Sequence, residues 1–399
     1  MEYNVIRGLG QIGGNAIEVT SNESRILLDV GRALDYKGIS DKEVIKVLSK
    51  SNYDAVLITH YHEDHLGLFE HMPADTKYYI GEKAYKILTS SRGYLGLNIF
   101  KPESFLRDGE EITIGDLRVT PYLCDHSAMD SYMLLVQDGE EKLLYTGDFR
   151  SNGRKSFDAL LNKLPRDIDI LISEGTTLFG NHVLNSTEVG LQHNLTEEVS
   201  KYSGPVFVLQ AATNIDRIVT MYKVARKNNR LMLQDLYMSS ITTALGGNIP
   251  NPVGFNTVRT YISTGYDDDN PRRKLFESLR EYMVGKSRLA DLDFIMNIRP
   301  SQLKYLQSLS ESVDFSGGLL IVSMWSGYLD RPEFKKLIEF MENSDVKVIE
   351  GHVSGHADIE TINRLISHTS PKETVIVHTE IGNGSKPRCD LSLHPGKGI

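Results

Sequence analysis

Thr59-His60-Tyr61-His62-Glu63-Asp64-His65 sets three imidazoles and a carboxylate, His60, His62, Asp64 and His65, within six residues. A single helix face or strand face cannot present all four. Ala55-Val56-Leu57-Ile58 directly before it is apolar and β-branched, the signature of a buried strand, and Leu66-Gly67-Leu68-Phe69 directly after it reads as a turn or the start of a short helix. The polar residues therefore fall on a loop at a strand's carboxyl end, where α/β folds place their chemistry. One surface histidine is ordinary, whereas four ligand-type side chains following a buried strand point to a metal. Imidazole with carboxylate and no thiolate suits zinc or manganese better than a soft-metal or iron–sulfur site.

A chain of 399 residues, 40% hydrophobic and 24% charged, is long enough for two domains or for one domain with a large insertion. Met1-Glu2-Tyr3-Asn4 is polar and acidic, and no long apolar run follows, so neither a signal peptide nor a membrane span is expected. Two cysteines, Cys124 and Cys389, cannot build a disulfide framework, which suits a reducing, cytoplasmic setting. The net charge of −9 argues against binding nucleic acid simply through a basic surface. That charge is uneven: residues 183–345 hold 18 Lys and Arg against 19 Asp and Glu, with basic clusters at 226–230 and 272–274.

Gly8-Leu9-Gly10-Gln11-Ile12-Gly13 matches a dinucleotide-binding fingerprint in letters only. That fingerprint requires a helix next, but Asn15–Thr20 and Arg25–Val30 read as two strands around a polar turn. The glycines are better read as a loop between strands, and Asp29 closes the second strand where it can support the histidine loop. Further strand ends carry polar residues in succession: His126 after Leu117–Thr120, Asp148 after Lys142–Thr146, and Glu174 after Ile168–Ile172. Chance does not easily repeat that arrangement.

The set His60-x-His62-x-Asp64-His65, the later His126 and Thr146-Gly147-Asp148-Phe149-Arg150 resemble the metallo-β-lactamase superfamily. Glu174 followed by a long insertion, His352-Val353-Ser354-Gly355-His356-Ala357, and Val375-Ile376-Val377-His378-Thr379-Glu380 resemble its nucleic-acid-processing β-CASP branch. Within that branch the form of these motifs, with Asn214-Ile215-Asp216-Arg217, is most similar to the ribonuclease J group. The resemblance implies an α/β fold: a metallo-β-lactamase αββα sandwich formed by residues 1–182 and 346–399, interrupted by a β-CASP insert at 183–345. It implies two divalent ions, zinc or else manganese, one on His60, His62 and His126, the other on Asp64, His65 and His378, with Asp148 bridging them. Glu174 and His356 would form the proton-donating pair, and Ser354, Gly355 and His352 would contact substrate. The implied activity is hydrolysis of RNA, single-stranded by preference, endonucleolytically or from the 5′ end, with no membrane partner and with homo-oligomerisation open. Departures are Thr379 where relatives carry glycine, a short tract between Trp325 and His352, and an end soon after the last motif. Competing readings are a DNA nuclease, a dinuclear hydrolase of small substrates and a non-catalytic RNA-binding subunit.

Overall fold

The computed structural model describes residues 1–34, 39–178, 187–263 and 272–380. Cys389 and the expected boundary at 183 lie outside these residues. The chain divides into two compact units, one of Met1–Leu88, Ile99–Leu184 and Gly355–Ile399, the other of Thr89–Asn98 and Asn185–Ser354.

Among the described residues, the first unit contains two six-stranded sheets. One runs β1 (Glu2–Arg7), β2 (Ala16–Thr20), β3 (Arg25–Leu28), β4 (Ala55–Leu57), β5 (Tyr78–Gly81) and β6 (Pro102–Leu106) in sequential order. The other contains β7 (Ile112–Ile114), β8 (Leu117–Cys124), β9 (Ser131–Gln137), β10 (Lys142–Tyr145) and β11 (Ile170–Glu174), closed by β19 (Glu373–Val377) from the far end of the chain. That last strand pairs in parallel along β11, with Glu174 opposite Val377. Side chains alternate between two interiors, as a period of two requires. On β9, Tyr132, Leu134 and Val136 face the core shared with Ile17, Val19, Ile26 and Leu57 of the first sheet. Met133 and Leu135 face the opposite way, against Phe157, Leu160, Ile362 and Leu365. Burial on both faces explains why Met133-Leu134-Leu135-Val136 reads as an unbroken apolar run. The covering helices start at side-chain caps, Ser156 for Phe157–Leu161 and Asp358 for Ile359–Thr369. These layers form the αββα sandwich.

In the second unit a seven-stranded sheet has the order β15-β14-β13-β16-β12-β17-β18, every pairing parallel. Its strands are β12 (Val206–Leu209), β13 (Leu231–Asp235), β14 (Val258–Tyr261), β15 (Met283–Val284), β16 (Phe294–Ile298), β17 (Gly318–Val322) and β18 (Val346–Glu350). Phe207, Leu209, Met296, Leu320 and Val322 point into one core with Leu306 and Leu337 from two covering helices. The boundary expected at 346 moves. β18 pairs with β17 over five residues, from Val346 beside Gly318 to Glu350 beside Val322, so the return to the first unit begins at Gly355. The apolar alternation of β18 is compatible with either sheet, and only its pairing decides.

Candidate metal centre

Every candidate ligand of the first unit sits just beyond, or one turn past, a strand's carboxyl end. The loop reading holds for His60 and His62 but fails for Asp64 and His65. A helix spans Glu63–Leu66, His62 is its N-cap, and Asp64 and His65 lie in its first turn. An acidic residue in that turn is electrostatically favoured.

Several contacts fix this turn. The N–H groups of Gly14 and Asn15 both donate to the Asp64 carbonyl at 3.0 Å, so the glycine-rich loop buttresses the histidine loop. Gly31 is needed there, since a Cβ on it would lie 1.8 Å from the Asp64 carbonyl oxygen. Buried Arg7 binds the Gly14 and Gly31 carbonyls and pairs with Asp41 at 2.8 Å.

Asp148 lies at the middle of the site. Its Oδ2 is 3.3 Å from His65 Nε2, 3.6 Å from His356 Nδ1, 3.8 Å from His378 Nε2 and 3.9 Å from both His60 Nε2 and His126 Nε2. His378, 314 residues after Asp64, approaches its Oδ2 to 3.1 Å. Ligand atoms of His60, His62 and His126 lie within 4.8 Å of one another, as do those of Asp64, His65, Asp148 and His378.

Outer contacts point the ring nitrogens inward. Asp29, fully buried, accepts from the Thr59 N–H at 2.7 Å, the Thr59 hydroxyl at 2.8 Å, the Tyr145 hydroxyl at 2.8 Å and His65 Nδ1 at 2.7 Å. A carboxylate only accepts, so His65 holds a proton on Nδ1, and Nε2, aimed at Asp148, is the nitrogen left to serve a cation. The Gly355 carbonyl fixes His126 in the same way through Nδ1 at 2.5 Å. The Thr59 hydroxyl lies 3.0 Å from His60 Nδ1. The Thr176 hydroxyl donates to Glu174 Oε2 at 2.6 Å and is 2.8 Å from His378 Nδ1. Because each hydroxyl's proton goes to a carboxylate, His60 and His378 must donate through Nδ1. Among the described residues, His60 Nε2, His65 Nε2 and Asp148 Oδ1 are buried without a hydrogen-bond partner. Buried polar atoms are normally satisfied, and a convergent set of lone pairs is what a divalent cation requires. The residues therefore fit metal.

Titration behaviour divides the centre. Burial, reinforced by the neighbouring imidazoles, holds His60 well below its ordinary value; burial also outweighs the Asp148 charge at His126 and lowers His62 to about 4. For His65 burial opposes the charge, but the Asp148 and Asp29 carboxylates outweigh it and raise the imidazole. Asp64 and Asp148 are held below the carboxylate range: burial opposes, but the His378 hydrogen bond and the His65 charge win at Asp64, and the His378 and His65 charges win at Asp148. His356, partly exposed, is opposed by burial but raised to about 9 by Glu174 and Asp148.

Glu174 closes β11 fully buried, accepting from the Phe149 N–H at 2.8 Å through Oε1 and lying 3.0 Å from His356 Nδ1 through Oε2. Of the expected substrate contacts, Gly355 offers its carbonyl to His126, while His352 and Ser354 lie on the segment leading to it, half-buried. Sequence reasoning missed Thr176, Tyr145 and the Arg150–Asp125 pair. The last joins Nε to Oδ1 at 2.6 Å and staples the loop carrying Asp148 to the one carrying His126. Two signals were present: Arg150 within the Thr146–Arg150 motif, and Thr176 two residues past Glu174.

Comparison with known proteins matches residues 9–197 to the metallo-beta-lactamase superfamily and residues 345–383 to a Zn-dependent metallo-hydrolase RNA specificity domain. The chain is 23% identical over 401 residues to Ribonuclease J of Helicobacter pylori, covering 94% of this chain and 55% of that protein. It is 24% identical to the RNase J-like protein of Methanocaldococcus jannaschii, covering 94% and 91%. It is 25% identical to Endoribonuclease ysh-1 of Neurospora crassa, covering 83% and 40%. The chain thus spans about half the length of the first curated relatives it matches. A crystal structure of a protein of unknown function from Enterococcus faecalis superposes with a TM-score of 0.74 at 18% identity, covering 97% of this chain and 96% of that one, and shows the shared fold. The sandwich, the seven convergent side chains and the family match define a metallo-β-lactamase superfamily protein. Within that superfamily the chain belongs to the β-CASP branch and is ribonuclease J-like.

Proposed function

We propose that the chain is a metal-dependent ribonuclease that hydrolyses phosphodiester bonds of single-stranded RNA. The observation that carries this reading is the convergence on Asp148 Oδ2 of five histidines, at 3.3–3.9 Å, with the Glu174–His356 pair beside them. His60, His62 and His126 would hold one divalent ion and Asp64, His65 and His378 a second, with Asp148 between. Nitrogen and oxygen donors without thiolate favour zinc, then manganese. Ions bound there supply a water of lowered pKa and positive charge against the phosphate oxygens.

The chain's own residues supply the rest. His356 gives Nδ1 to Glu174, which leaves Nε2 to deliver a proton to the departing ribose oxygen. Glu174, held by the Phe149 N–H and the Thr176 hydroxyl, fixes the ring and favours its charged form. Ser354 and the Gly355 N–H are the donors assigned to a substrate phosphate, with His352 beside them. A dinuclear hydrolase of small molecules has no use for the Glu174–His356 pair or for a 170-residue second segment, Asn185–Ser354. The similarity to Ribonuclease J and Endoribonuclease ysh-1 and the match to an RNA specificity domain at 345–383 also favour RNA.

The test is a time course on single-stranded RNA labelled at its 5′ end, with mono- and triphosphate ends compared and zinc or manganese supplied. Release of mononucleotide from the start marks a 5′-exonuclease, and discrete intermediate bands mark an endonuclease. Protein that binds both ions but cleaves no RNA refutes the proposal, and parallel deoxyribose oligonucleotides decide between RNA and DNA.

A further inference from the structure

Trp325 is the only tryptophan of the chain, and it is 57% exposed. It follows the carboxyl end of β17, the edge of a parallel sheet at which ligands bind. The strand end itself is anchored, since the Ser323 hydroxyl donates to the Gly351 carbonyl at 2.5 Å. Exposure alone would mean little, but the indole is held in place. A Cβ on Gly327 would fall 2.3–2.6 Å from three atoms of the six-membered ring, so one face of the indole lies flat on the Gly327 backbone. The Tyr328 ring props it edge-on, with centroids 5.6 Å apart at 84°. Tyr328 is fixed in turn by the Arg331 guanidinium, 4.8 Å from its centroid, and by Phe334 stacked at 6.3 Å. A tryptophan braced on one face and one edge, beside an exposed arginine, presents its other face to solvent.

We infer that Trp325 is a stacking platform for a nucleobase of single-stranded RNA, with Arg331 drawn to the adjoining phosphate; this rests on the ribonuclease reading above. Every base has a π-face, so such a platform takes single strands without reading their sequence. An ordered ring loses little conformational freedom on binding, and the guanidinium supplies positive charge beside it, complementary to a phosphate.

The experiment uses the full-length, metal-loaded chain and phosphorothioate-linked RNA of about twelve nucleotides, within the span of known single-strand sites. RNA should quench Trp325 fluorescence saturably, while an abasic oligomer of the same length should not. Trp325→Ala should weaken RNA binding about tenfold and raise KM on ordinary RNA with kcat held, Trp325→Phe should keep affinity within about threefold, and Gly327→Ala should behave like the alanine variant. Circular dichroism confirms that each variant is folded. Cleavage and binding by Trp325→Ala equal to wild type would overturn the platform while leaving the ribonuclease standing. Failure of the wild type to bind RNA at all would overturn both. A change in oligomeric state with RNA affinity unmoved would assign the surface to a second copy of the chain and overturn the inference.

Discussion

Asp29→Asn removes one charge from a fully buried acid that receives four donors and keeps its shape. Asp29 lies at φ 59°, a left-handed conformation that asparagine adopts nearly as readily, so the backbone adds little to the effect. The carboxylate receives donors on both oxygens: the Thr59 N–H on Oδ1, and the Thr59 hydroxyl, Tyr145 hydroxyl and His65 Nδ1 on Oδ2. An amide offers one accepting atom. With its oxygen at the Oδ2 position, its NH2 meets the Thr59 N–H, donor against donor. With the oxygen at the Oδ1 position, the NH2 meets His65 Nδ1, and the imidazole must shift its proton to Nε2, the nitrogen aimed at Asp148. Either way one charge-assisted hydrogen bond is lost, roughly 1.5–3 kcal/mol of stability in the metal-free chain. Metal affinity should fall about 10- to 100-fold, the usual cost of losing a group that orients a ligating histidine. Urea denaturation with chelator present reads the first quantity, and competition with a chelating dye reads the second. Zinc affinity within twofold of wild type would refute the assignment of Asp29 as the group that sets the His65 tautomer.

Three further outcomes are expected. His356→Ala should lower kcat roughly 10²- to 10⁴-fold at unchanged metal content, as removal of a proton donor does, and a loss below tenfold under single-turnover conditions would exclude that role. Stripping the ions with chelator should abolish cleavage and shift the urea midpoint down, because a ligand at one hundred times its Kd stabilises the fold by ~2.7 kcal/mol; equal midpoints with and without zinc would show that the centre holds none. In the second unit Arg217 and Glu188 pair at 2.9 Å with both side chains fully buried. Arg217→Met should therefore cost about 3–5 kcal/mol, with much of that recovered in the Arg217→Met/Glu188→Leu double variant; a single-variant loss under about 1 kcal/mol would contradict burial of the charge.

The sandwich was legible because its strands carry the alternation and apolar runs of two-sided burial, and because polar residues recur at their carboxyl ends. Ligand-type residues cluster in sequence only at 60–65, so grouping His378 with Asp64 required a known pattern of motifs. Pairing is what made the rest obscure. β18 is short, and nothing in Val346-Lys347-Val348-Ile349 says which sheet it joins; the parallel register with Gly318–Val322 does. β16, the Phe294–Ile298 strand between β13 and β12, lies in a tract where the polar Asn297 breaks the apolar run, and it reads weakly as a strand despite full burial. The supporting groups are obscure for a different reason. Thr176 and Tyr145 are common residues whose importance comes from what lies opposite them, and a threonine bridging Glu174 and His378 across 202 residues leaves no local trace.

The charge distribution of the centre also explains why a divalent ion, and not a set of protons, suits it. Four carboxylates are buried there, Asp29, Asp64, Asp148 and Glu174, and no lysine or arginine is ion-paired to any of them among the described residues. Buried charge needs compensation, which leaves the imidazoles. On one side they cannot supply it, since the rings of His60, His62 and His126 are 4.7–5.0 Å apart and protonating one raises the cost of protonating the next. Burial, to which the neighbouring imidazole charges add, pushes all three toward the neutral form. On the other side, around Asp64, Asp148 and His65, the carboxylates draw positive charge strongly. Protons satisfy only the second group. Divalent ions would satisfy both, taking lone pairs from neutral rings and placing positive charge against the acids, and under the proposed function their charge would offset part of the net −9 where an anionic substrate approaches.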